Sequence, residues 1–103
     1  MAEIMYGYEP THPGEVIKDE IEYRNISQRA LAEQIGMPYK ALNDLLNGRR
    51  TLTTATAMMI EAALDIPAES LMRLQLKYNM QHVSSDKSFM ERLSRIRRIA
   101  AML

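Results

Sequence analysis

Between residues 27 and 48, two short amphipathic segments are separated by a corner only three residues long, and this succession restricts the fold more than any other feature of the chain. Ser27 offers a side-chain oxygen of the kind that caps a helix start. Leu31, Ala32 and Ile35 then recur at helical spacing until Gly36 ends the segment. After Gly36-Met37-Pro38, a second segment carries Leu42, Leu45 and Leu46 on one face, and Asn47-Gly48 closes it with residues that tolerate left-handed backbone. Each segment is long enough for about two helical turns.

The flanks read as helices too. A helix is expected to open at Pro13, a favoured first-turn residue, with Glu15 near the positive end of its dipole, Val16, Ile17 and Ile21 inward, and a stop near Arg24 or Asn25. The run Thr51 to Thr54 offers caps for a fourth helix with Ala57, Ile60 and Leu64 on one face, interrupted by Asp65-Ile66-Pro67. A fifth, from Ala68 to Met80, shows two apolar rows, Leu71/Leu74/Tyr78 and Met72/Leu76/Met80, where one core face needs a single row. The second row is therefore free for a partner. Residues 81–87 read as a polar linker, and Phe89, Leu93, Ile96, Ala100 and Leu103 then alternate by four and three, the seam of an amphipathic or coiled-coil helix. No stretch alternates as a half-buried strand does. The expected fold is all-α: an arm over 1–12, a five-helix domain over 13–80, the linker, and a C-terminal helix over 88–103.

Composition limits the function classes. At 103 residues and 47% hydrophobic, the chain makes one domain with a modest core. The absence of cysteine excludes disulfides, thiolate zinc sites and thiol nucleophiles, and suits a reducing compartment. No basic-then-apolar leader and no membrane-length apolar run is present, so the cytoplasm is the expected location and no membrane partner is expected. Net charge is zero, yet the charges segregate: −4 over residues 1–26, +2 over 27–50, −1 over 51–80 and +3 over 81–103. A chain of this kind faces nucleic acid with one side only.

Two short helices joined by a glycine-containing turn, each with a polar start, form the arrangement that sets a second helix in the major groove. The first helix then points its N-terminus at the backbone, where Ser27 and Gln28 combine amide donors, a dipole and side chains against one phosphate. Other chemistry is weaker. His12 and His82 lack further ligands at metal spacing, and His12 is assigned to the start of the first helix. Glu15, Asp19, Glu20 and Glu22 read as a solvated face, and Met58, Met59 and Met72 as gap-filling core or interface residues. With no nucleophile–base pair, metal cluster or phosphate-binding glycine loop, neither an enzyme nor a cofactor is expected. Ile4, Met5, Tyr6 and Tyr8 form a tail, a packed arm or a partner-binding strand, and the C-terminal helix folds back, dimerises, meets another protein or touches DNA; the sequence leaves these open.

The stretches His12-Pro13-Gly14-Glu15-Val16, Ile26 to Glu33, Leu45 to Arg50, and Leu74-Gln75 with Tyr78-Asn79 together resemble the Cro and phage-repressor-like (XRE-type, lambda-repressor-like) helix-turn-helix, and within it the HigA-type antitoxins. The resemblance implies that Gln28 touches a phosphate, that Tyr39, Lys40, Asn43 and Asp44 lie where bases are read, and that Arg49 and Arg50 follow the backbone. It also implies a homodimer on a palindromic operator, a repressor of its own operon that neutralises a small ribosome-dependent RNase toxin. Pro38 departs from the pattern, standing where serine or threonine usually caps the recognition helix, and so does Asp44, an acid on the reading face. Lys40 and Asp44, four apart, also read as a plain surface ion pair. Alternative functions are a module that sequesters a toxin without strong DNA binding, and an orphan transcriptional regulator.

Overall fold

A computed structural model describes residues 11–103, and the expectation for Ile4, Met5, Tyr6 and Tyr8 lies outside them. Among these described residues six helices follow in order: α1 (Pro13–Tyr23), α2 (Gln28–Ile35), α3 (Tyr39–Leu46), α4 (Thr54–Leu64), α5 (Ala68–Ser84) and α6 (Lys87–Met102). Among the described residues there is no strand, and no helix is long and apolar enough to cross a membrane.

Local chemistry accounts for the boundaries. His12 caps α1 by accepting the Gly14 amide on Nδ1, and Pro13 follows in the first turn, where its missing N–H costs nothing. Ser27 caps α2 through Ala30, Thr53 caps α4 through Thr56, and Asp86 caps α6 through Phe89. Asn25 and Asp65 adopt left-handed backbone after α1 and α4, a conformation that short polar side chains tolerate better than most.

The inward residues expected of α1 to α4 form one core: Ile17, Ile21, Leu31, Ala32, Leu42, Leu45, Leu46, Ala57, Ile60 and Leu64 are buried, joined by Leu52 and Leu71. Val16, Ile35 and Met72 pack against its edge. Met58 and Met59 do not belong to it, because they sit on the exposed face of α4. α1 packs on α3, α2 on α3 and α4, and α5 closes the domain against α4 and α1. The loop before α4 is tied to α5 by Gln75, 3% exposed, whose Oε1 accepts the Leu52 amide at 2.8 Å while its Nε2 donates to Asn79.

Two expected boundaries move. His12, placed in the arm by a domain starting at residue 13, is a buried part of the domain, its ring edge-on to Tyr78 with centroids 4.8 Å apart. The linker expected over 81–87 shrinks to Ser85 and Asp86, because α5 continues to Ser84. Gln81, His82 and Ser84 carry no helix-breaking chemistry, and propagating a helix adds a hydrogen bond for each residue fixed. α6 buries no residue, and its main neighbour is α5. The extents of 56 × 26 × 21 Å and the radius of gyration of 17.2 Å show the result, since a compact chain of this length has about 13 Å.

Candidate nucleic-acid interface

The α2–α3 corner turns on Gly36, at φ 71° and ψ 33°. The Met37 amide donates to the Ala32 carbonyl at 2.9 Å and the Gly36 amide to Glu33 at 3.3 Å, the paired bonds of a Schellman stop. α3 therefore leaves at an angle with Leu42, Leu45 and Leu46 buried and its opposite flank in solvent. On the other side α1 approaches closely: a Cβ on Gly14 would overlap the Leu45 carbonyl oxygen. The recognition helix is thus held between α1 and α2.

Six of the eight residues expected at the interface lie around the exposed flank. Tyr39 and Lys40, in the first turn of α3, are exposed, and Asn43 and Asp44 are half-buried one turn on. Gln28, at the start of α2, accepts from Asn43 Nδ2 at 2.8 Å, so the two helices of the motif share a polar bond across the corner. Arg49 reaches back over α3, donating to Asn43 Oδ1 at 3.3 Å and to Asp44 Oδ1 at 3.2 Å. Ser27 is spent as the α2 cap, which leaves the Gln28 and Arg29 amides at the open, positive end of that helix. Arg50 is exposed, and its main chain faces the buried His12 ring.

Asp44 is less disruptive than its charge suggests. Arg49, hydrogen-bonded to it, and Lys40, 3.4 Å away on the preceding turn, hold its carboxyl below the usual range, so it is ionised and locally neutralised. The surface-pair reading of Lys40 and Asp44 is thus met in the unbound chain, with the Lys40 side chain still 88% exposed. A pair this exposed to water is held weakly, so Lys40 gives up little to leave. Pro38 offers no side-chain cap, as its residue type dictates, and the first three amides of α3 are open at its positive end.

One residue was missed. The Arg29 guanidinium lies 4.5 Å from the centroid of the Tyr39 ring, a cation–π contact that fixes the ring at the front of α3. The only signal in the sequence was an exposed basic residue in the first turn of α2.

Two short helices set at a left-handed glycine corner, the second with a polar flank turned to solvent, define a helix-turn-helix domain. The chain belongs to the helix-turn-helix family, which matches residues 17–71, as a member of the XRE type. That family comprises DNA-binding regulators rather than enzymes. The chain is 27% identical over 95 residues to YbaQ of Escherichia coli K12, an HTH-type transcriptional regulator, covering 91% of this chain and 84% of that one. An addiction-module antidote protein of the HigA family from Coxiella burnetii superposes with a TM-score of 0.72 at 26% identity, over 82% of this chain and 95% of that one. Pseudomonas aeruginosa antitoxin HigA, solved with the higBA promoter, gives 0.71 at 27% identity, over 81% and 92%.

Proposed function

We propose that this chain is a sequence-specific transcriptional repressor and the antitoxin of a toxin–antitoxin module. In this reading it acts in the cytoplasm, binds a palindromic operator as a homodimer, represses its own operon and neutralises a small RNase toxin. The observation that carries it is the Gln28–Asn43 bond, which joins the phosphate-facing start of α2 to the reading flank of α3. The likenesses to HigA-type antitoxins, one of them solved on promoter DNA, support the same reading.

Mechanistically, the α2 N-terminus with Ser27, Gln28 and the neighbouring amides receives one phosphate. Tyr39, Lys40, Asn43 and Asp44 meet base edges, Lys40 at guanine and Asp44 at a cytosine amino group, while Arg49 and Arg50 follow the backbone. On binding, Lys40 and Arg49 exchange Asp44 for DNA. Half-sites about one helical turn apart match a two-fold dimer.

The test is titration of labelled duplex from upstream of the chain's own gene against a shuffled duplex. Preference for the former is expected, and Lys40→Ala should weaken it by about 1–3 kcal/mol, roughly five- to 150-fold, if Lys40 reads a guanine. Equal affinity for both duplexes overturns the repressor reading. It would favour the second one, a toxin-sequestering module, for which the Lys40–Asp44–Arg49 self-pairing is the supporting observation.

A further inference from the structure

We infer that His12 is a positioning residue for DNA binding: from the start of α1, its neutral ring sets the main chain that holds Arg49 and Arg50 against phosphate. This deepens the repressor reading above and rests on its assignment of those two arginines to the DNA backbone. The chain between Leu46 and Thr54 belongs to no helix, so its path is set by whatever holds it from beneath. Three contacts do so. A Cβ on Gly48, at φ 73°, would meet His12 Cγ at 3.7 Å, so the turn after α3 closes over the ring with space for a single methyl group between them. The Arg50 main chain faces the same ring with an acceptor, since its pull favours the protonated imidazole. Further on, the Leu52 amide donates to Gln75 Oε1 at 2.8 Å. The two arginines are exposed above this base.

A helix start by itself does not call for an imidazole. Ser27, Thr53 and Asp86 cap their helices with the short side chains usual for that position, and any of these types would serve α1. Histidine at position 12 caps through Nδ1 and extends the rest of its ring, buried, toward the loop. Because Nδ1 accepts the Gly14 amide at 2.9 Å, the proton of the neutral ring sits on Nε2, where it donates outward. A second proton would land on Nδ1, oppose the Gly14 amide with another donor and break the cap. The charged and titratable groups around the ring are Glu15 on α1, Arg50 on the loop, and Tyr78 and His82 on α5, with Tyr78 edge-on to His12 and His82 stacked on Tyr78. Acid therefore loosens the loop, and operator affinity should fall as pH drops below about 6.5. Charge alone gives the opposite sign, because protonating His12 and His82 adds positive charge and tightens the hold on a polyanion.

The experiment titrates the full chain onto the duplex from upstream of its own gene by fluorescence anisotropy, across pH and salt, with circular dichroism reporting the fold at each pH. His12→Asn keeps an acceptor for the Gly14 amide and loses the reach to the loop, whereas His12→Gln keeps a donor near the Nε2 position and loses the cap. His12→Asn should weaken binding about threefold or more, equally on a shuffled duplex, and lower the slope of log affinity against log salt by about 1. It should also abolish the weakening in acid, while melting closer to the parent chain than His12→Gln does. His12→Gln should melt lowest and bind nearest to the parent. A merely structural role predicts affinity that follows melting temperature across the two variants; that order, or a parent chain that binds more tightly in acid, overturns the proposal. Arg50→Ala separates the two readings. If it leaves affinity and salt slope unchanged, the assignment of the arginines to phosphate fails and takes the inference with it, whereas a loss in Arg50→Ala that His12→Asn does not share sinks the inference alone.

Discussion

His12 spends Nδ1 on the Gly14 amide and faces the Arg50 main chain from a site 4% exposed. Burial pushes its pKa below the ordinary 6.5, against opposite pulls from the Arg50 main chain and Glu15. The unfolded chain therefore takes up the proton first as pH falls. His12 contributes stability that is complete above about pH 6.5 and is lost as pH drops through the lower folded value. Urea midpoints should decline over that window, and His12→Asn, which keeps a cap acceptor, should flatten the decline; identical slopes in both proteins would remove His12 as its source. Gly14 is constrained differently, by the Leu45 carbonyl at its Cα. Gly14→Ala gains up to about 1 kcal/mol of helix propensity but must push α1 off α3. The clash wins, and denaturation should show a net loss toward the upper end of about 1–3 kcal/mol.

At the scale of elements, the motif depends on where helices stop. Gly36 has nothing within 4 Å of a built Cβ, so its cost on substitution is backbone strain alone at φ 71°. Gly36→Ala should cost about 1–2 kcal/mol, less than Gly14→Ala, with the helix content of the folded state preserved. A larger loss than at Gly14 would mean the corner carries packing that the structure does not contain. α3 itself was legible in the sequence, because its apolar spacing has one solution and all three leucines named from it are buried. The end of α5 was not legible: polarity at 81–84 says exposed, and an exposed residue is equally at home in a helix or a linker.

For the molecule as a whole, zero net charge conceals a basic α6 and an acidic start. DNA binding releases counterions and weakens as salt rises. Raising ionic strength should therefore loosen the hold on the operator duplex, measured by fluorescence anisotropy, and an affinity indifferent to salt would remove phosphate contacts as its source.

The sequence alone determined the all-α class, the caps at Ser27 and in the Thr51 to Thr54 run, the Gly36 corner and the inward faces of α1 to α4, because each is set by neighbours within a turn or two of chain. Tertiary structure decided what depends on residues far apart in sequence. It brought Gln28 to Asn43, Gln75 to the Leu52 amide, Gly14 to the Leu45 carbonyl and Arg29 to the Tyr39 ring. Such contacts arise from how helices pack across the shared core, and spacing along one helix carries no record of which side chain a neighbouring helix will present.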